Sequence, residues 1–207
     1  MTTRFLNRVF SPTVKAAQER LGSRNAYARH DAGPGAPDRL GDNEAAFIAS
    51  RDSFYMATTG ADGWPYVQHR GGMPGFVKVL DDRTLGLPDF RGNRQYVSVG
   101  NLAHDDRAAF FFMDYPNRAR LKLLGRVRTV DLSADTKLAA ALVDADYNAR
   151  VERGFIIDVE AFDWNCSQHI TPRFMAAELA PRVVELEDRI AELEAEVSAL
   201  RAGIGRH

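Results

Sequence analysis

The chain has 207 residues, 45% apolar and 27% charged, a composition that can bury a core and excludes a disordered protein. Its 27 Lys and Arg against 28 Asp and Glu leave a net charge of −1. That balance argues against a nucleic-acid partner but not against a local cationic pocket for one small anion. A single cysteine excludes an internal disulfide framework, and no run approaches ~18 apolar residues, so the expectation is a soluble, cytoplasmic chain without a membrane segment.

In chain order, Ser11, Pro12 and Gly22 frame a short helix, as N-cap, first helical residue and terminator. Residues 30–41 are punctuated by Gly and Pro and read as a loop. Asp42 is expected to cap a second helix that runs to about Ser50. From Ser53 the pattern changes to strands: 53–59 and 64–70 flank a Gly-bounded turn, and 76–80 and 84–87 flank Asp81-Asp82-Arg83. A short helix is expected from Asn93 toward Asn101. Residues 107–114 contain Ala-Ala-Phe-Phe-Phe-Met, which suggests a strand buried on both faces. A long strand over 119–130 follows, then an Ala-rich helix from Ser133 to about Val151, and a last strand over 155–162.

Seven strands with hairpin-like connections predict a mainly β protein, an antiparallel split barrel with peripheral helices. Beyond Glu178 the composition turns to Glu, Ala, Leu and Arg, a helix of its own. The expected organisation is an extension over 1–41, the barrel over 42–175, and a C-terminal helix over 176–207.

Four stretches can carry chemistry. Pro88-Asp89-Phe90-Arg91-Gly92-Asn93-Arg94 places arginines beside an expected helix start, a setting for a phosphate monoester or, equally, an ordinary turn with solvated arginines. Arg120, Lys122, Arg126 and Arg128 share one strand face, either solvated surface or a wall beside an anion, and Gly125 suggests a bulge that would split that stripe. Trp164, Cys166, Gln168, His169 and Arg173 lie within one connector, dense enough to cover a ligand. One Cys and one His do not make a metal site, and a buried, inert thiol is the plainer reading of Cys166. After Arg70, three glycines within residues 71–75 would let the backbone approach a flat ligand, or simply join two strands.

Taken in order, these residues resemble the pyridoxamine-phosphate-oxidase-like FMN-binding split-barrel superfamily, in its branch of predicted flavin-nucleotide-binding proteins. The runs that carry the resemblance are Pro-Gly-Phe at 74–76, Asp-Asp-Arg-Thr at 81–84, Arg-Gly-Asn-Arg-Gln-Tyr at 91–96, Met-Asp-Tyr-Pro at 113–116 and Gln-His-Ile-Thr-Pro-Arg at 168–173. The resemblance implies a homodimer that binds two FMN molecules at its interface. It puts the phosphate on Gly92, Asn93 and Arg94, the ring beside Phe76, Val77 and Lys78, and the ribityl chain near Pro88 and Asp89. Arg70, Trp164 and Arg173 complete the implied cofactor contacts. Arg120 stands where the oxidase often has Gln, with Lys122 two residues on; a cation there would favour the reduced flavin. Cys166, Gln168 and His169 would border the substrate space. The oxidase's substrate-gripping Arg-x-His pair is replaced by Ile170-Thr171-Pro172, so pyridoxamine phosphate is not the expected substrate.

The leading expectation is therefore an FMN-dependent oxidoreductase acting on a small redox substrate, with NAD(P)H as one candidate donor. The alternatives are a flavin-binding carrier or sensor without catalysis, and a split barrel that holds haem or deazaflavin. In the C-terminal helix, Val183, Leu186, Ile190, Leu193, Val197 and Leu200 form a heptad stripe, which predicts either a parallel coiled coil between two copies or a helix lying on its own barrel.

Overall fold

The computed structural model describes residues 2–31, 35–164 and 167–204. Seven strands form one sheet: β1 (Ser53–Thr59), β2 (Pro65–Gly71), β3 (Lys78–Asp81), β4 (Thr84–Phe90), β5 (Arg107–Asp114), β6 (Ala119–Val130) and β7 (Val151–Trp164). Their spatial order is β2-β1-β5-β6-β7-β4-β3, and every pairing among the described residues is antiparallel. The ends of the sheet curl toward each other, which brings Arg70 on β2 into an ion pair with Asp89 on β4. The antiparallel split barrel expected from the strand pattern is the fold observed.

Period-two alternation explains the core. Phe54 and Met56 on β1, Phe110 and Phe112 on β5, and Leu121 and Leu123 on β6 point inward and are fully buried. Phe54 lies at the centre of an aromatic cluster, 5.0 Å from the Phe112 ring centroid and 5.8 Å from that of Phe76. The strand β5 corrects the expectation of burial on both faces: Phe111 and Met113 face outward and remain partly exposed. A run of apolar residues cannot distinguish a strand between two layers from one whose outer face is left open.

The helices also correct the sequence reading in places. A helix not anticipated, α1 (Thr3–Val9), is capped by the Thr2 hydroxyl, which accepts from the Phe5 N–H, and buries Phe5 and Leu6. Next, α2 (Pro12–Arg20) has Ser11 as its N-cap, as expected, and α3 (Arg24–Tyr27) follows as a single turn. In α4 (Asp42–Ala49) the N-cap is Gly41 rather than Asp42, and the Glu44 carboxylate accepts from the Gly41 N–H at 3.0 Å. α5 (Val97–His104) begins at Val97, not at Asn93. α6 (Thr136–Leu142) is capped by Asp135 and stops well short of Val151. Ser133 is instead held in a turn by Asp131, while Asp144 pairs with Lys78 and Tyr147 packs edge-on against Phe90, which draws the chain away from helix. Last is α7 (Ala176–Ile204). Among the described residues, no helix is long and apolar enough to cross a membrane.

The basic stripe on β6 is not split by Gly125. The register does shift there, but the extra residue is Glu160 on β7, between Val159, opposite Gly125, and Ala161, opposite Leu124. Glu160 is gripped by Arg4 and Arg8 of α1, which fastens that helix to the sheet. Burial pushes the Glu160 carboxyl up, but the hydrogen bond from Arg8 and the two guanidinium charges outweigh it and hold the group below its ordinary value. Its stabilisation is complete above that ordinary value, about 4.5, and is lost as pH falls through the lower folded value. Replacing Glu160 with Gln is expected to cost about 1–3 kcal/mol in urea unfolding at pH 7. The gap to the parent protein should close as the pH is taken below 4.5. A gap that persists unchanged in acid would show that the charge is not what holds α1.

Candidate functional site

The barrel mouth at the ends of β2 and β4 brings together Arg70, Asp89, Asn93 and Arg94 from among the polar residues singled out in the sequence. Asp89, 6% exposed, is the anchor. The Arg70 guanidinium pairs with one of its carboxylate oxygens and lies 5.2 Å over the Phe155 ring, while Arg153 Nε is 3.3 Å from the other oxygen. Arg153 also donates to Glu152 at 3.0 Å, and Arg91 Nε lies 3.6 Å from the same carboxylate. The Tyr96 hydroxyl accepts from Arg94 Nε at 3.4 Å and donates to Glu152 at 3.3 Å. Below them, the Ser98 hydroxyl donates to the Gln68 amide oxygen at 2.7 Å.

Residues 91–96 are loop, not helix start. The Asn93 side chain accepts from the Gln95 N–H at 3.2 Å, and Arg94 and Tyr96 both adopt left-handed backbone, φ 64° and φ 54°. Side chains disfavour that region, and such strain persists where the surrounding structure imposes it, commonly at ligand clamps. The left-handed Tyr96 is the residue that stops α5 from extending back to Asn93.

Together these residues line a cleft of about 50 Å³, bordered by Gln68, Arg70, Asn93, Arg94 and Ser98. Pockets for whole cofactors run to roughly 300–1,000 Å³, so this one is on the scale of a single anionic group. Arg70 and Arg94 line it together with the carboxylates of Asp89 and Glu152, and Arg91 and Arg153 reach those same carboxylates from outside the lining. Arg70 Nε is a buried donor with no hydrogen-bond partner among the described residues. With Arg91 and Arg153 offsetting the two carboxylates, a buried guanidinium donor left unsatisfied beside the cleft fits an anion such as a phosphate.

The other sequence-predicted residues are placed elsewhere. Phe76 and Val77 are buried in the core, backbone included, and Pro88 is buried beside Asp89. Lys78 is held by Asp144 at 2.8 Å. Lys122 is paired with the buried Asp163 at 2.6 Å and lies 4.8 Å over the Phe5 ring, so α1 covers it. Arg120 lies over Phe111 on the outer face. Trp164 is built into the fold: its indole N–H donates to Glu44 at 2.6 Å and its ring meets Phe47 edge-on at 4.8 Å. Gly92, by contrast, lines the mouth cleft, exposed and with open space around its Cα.

Arg173 sits on the outer face, 4.9 Å over the Tyr115 ring. It borders a cleft of about 340 Å³ with Arg51, Tyr55, Phe111 and Met113. Gln168 and His169 are exposed on the preceding turn, where His169 is left-handed at φ 62°. Cys166 lies outside the described residues. The mouth cleft opens on the inner face of β2, whereas the Arg173 cleft lies on the outer face of β1 and β5, so one chain does not unite the two.

Sequence reasoning missed Arg153, Glu152 and Ser98. Arg153 meets Asp89 only because β4 and β7 pair in the register that sets those two residues opposite each other. No local pattern reports that register.

A family model described as pyridoxamine 5'-phosphate oxidase matches residues 40–186. No curated protein matches the chain. Among solved structures, the chain is similar to an FMN-binding protein from Syntrophomonas wolfei, with 11% identity, 74% of this chain and 95% of that chain covered, and a TM-score of 0.46. It is also similar to HupZ of Group A Streptococcus, with 15% identity, coverage of 65% and 99%, and a TM-score of 0.46. A third similarity is to a protein related to general stress protein 26 from Clostridium acetobutylicum, with 17% identity, coverage of 66% and 94%, and a TM-score of 0.40.

Proposed function

The chain belongs to the pyridoxamine 5'-phosphate oxidase family, and from that premise we propose that it binds FMN and serves as a flavin-dependent oxidoreductase for a small substrate. The observation that carries the reading is the mouth cleft: room for one anionic group, Arg70 and Arg94 in its lining, and the unpartnered Nε of Arg70. Arg70, Arg94 and Asn93 would hold the phosphate. Bound there, FMN would supply the two-electron redox chemistry.

The protein's own contribution is to bind and orient. Asp89 fixes Arg70 and Arg153 in place, which lowers the ordering cost of gripping a phosphate. The flavin ring itself needs more room than this cleft offers. We place it where the outer face of a second copy, with Arg173 and its 340 Å³ cleft, meets the mouth of the first. The partly exposed Tyr55, Phe111 and Met113 suit such an isologous contact. Ile170, which stands in the stretch where the oxidase grips its substrate, is 8% exposed and turned inward, which supports a substrate other than pyridoxamine phosphate.

The visible spectrum of the purified protein, followed by titration with FMN and riboflavin, tests this. The expected result is an oxidised-flavin spectrum and at least roughly tenfold preference for FMN, the worth of one charge-assisted contact to the phosphate. Equal binding of the two would remove the phosphate from the mouth cleft, and a haem or deazaflavin spectrum would replace the cofactor. Bleaching of the bound flavin by NAD(P)H with turnover separates an enzyme from a flavin carrier or sensor.

A further inference from the structure

We propose that α7 pairs with the α7 of a second copy of this chain as a parallel, in-register, two-stranded coiled coil. Every side chain from 176 to 201 is exposed, so the helix is not stabilised by packing on its own barrel. Helices of globular proteins draw most of their stability from a packed apolar face, and this one has such a face without a partner in its own chain. Val183, Leu186, Ile190, Leu193, Val197 and Leu200 are 42–61% exposed along one stripe. The stripe starts two residues after Pro181, which lies inside the continuous helix and removes one of its backbone hydrogen bonds.

The order of residues commits the occupant. Valine or isoleucine holds each a position, 183, 190 and 197, and leucine each d position, 186, 193 and 200, the combination that favours two parallel strands. The flanking charges agree at each step. In a parallel pair Arg182 faces Glu187 of the partner subunit, Arg189 faces Glu194 of the partner subunit, and Glu196 faces Arg201 of the partner subunit. Within one helix Arg182 and Arg189 reach only Glu185 and Glu192, at 2.5 and 2.8 Å, on the solvent side. Antiparallel pairing sets e positions against e positions, which opposes glutamate to glutamate at 187 and 194. The family model ends at residue 186, so most of this stripe lies beyond the matched barrel. The inference stands on the helix alone and does not need the flavin.

The test uses the full chain with Cys166→Ser as background. Val183→Cys is expected to form an interchain disulfide under mild oxidation, since a positions face each other across the axis of a parallel pair. In an antiparallel pair the two 183 positions are about 25 Å apart along the axis and cannot be bridged. Arg189→Glu should weaken the dimer by roughly two- to tenfold, and adding Glu194→Arg should restore it. Crosslinking only between mixed Val183→Cys and Leu200→Cys chains would overturn the parallel orientation. A protein dimeric by sedimentation in which Val183→Cys does not crosslink would overturn the coiled coil and leave the barrel dimer standing. A monomeric parent protein would overturn both.

Discussion

In a titration with FMN, the Arg94→Ala variant is expected to bind roughly ten- to a hundredfold more weakly than the parent protein, with riboflavin affinity unchanged. Arg94 borders the mouth cleft on a left-handed backbone, and the Tyr96 hydroxyl beside it favours its charged form. Removing it takes away one charged donor and leaves the barrel core untouched, because the side chain is exposed. The selectivity is the informative part. A contact to the phosphate should affect FMN and spare riboflavin, whereas a general loosening of the loop would weaken both. Arg70→Ala is less clean, because it also strands the buried carboxylate of Asp89 with Arg153 as its remaining partner. Its melting temperature should fall along with its FMN affinity, and Arg94→Ala should show the affinity loss alone.

The second large effect is one of stability. A Cβ added at Gly125 would stand 2.8 Å from the Ile157 Cγ2 and 2.9 Å from the Asp158 carbonyl oxygen. The second of these is backbone and cannot swing aside. Glycine is therefore required where β6 and β7 approach across the shift that accommodates Glu160. Gly125→Ala is expected to cost about 1–3 kcal/mol, a drop of roughly 2–12 °C in Tm for a chain of this size. Gly100 in α5 is the matched control, since an added Cβ there meets nothing within 4 Å. Gly100→Ala should raise stability by about 0.5–1 kcal/mol through the helix preference for alanine. If both variants melt with the parent protein, the close approach at Gly125 is not a constraint.

Where local chemistry decides, the sequence was sufficient. Alternation and turn residues located β1, β5 and β6 with their observed ends, Ser11 capped α2, and the run of strands with hairpin connections specified an antiparallel barrel. The heptad of α7 was equally legible, because its period is written along a single helix. Arg70, Asp89, Asn93 and Arg94 of the barrel mouth were named individually, since arginines beside a Gly-Asn turn are a local signal, whereas Ser98, Glu152 and Arg153 were not. What they form together was not legible. The pairing of Arg70 with Asp89 depends on the curl of the sheet, and that of Arg153 with Asp89 on the β4–β7 register. Lys122 looked free on a basic stripe until α1, which no periodicity announced, closed over it with Phe5. Asn93 looked like a helix start until Tyr96 took a left-handed conformation and deferred α5 to Val97. Each of these outcomes rests on contacts between segments far apart in the chain, whose energies depend on register and curvature. Propensity and spacing report only on near neighbours, and so only the tertiary structure could decide them.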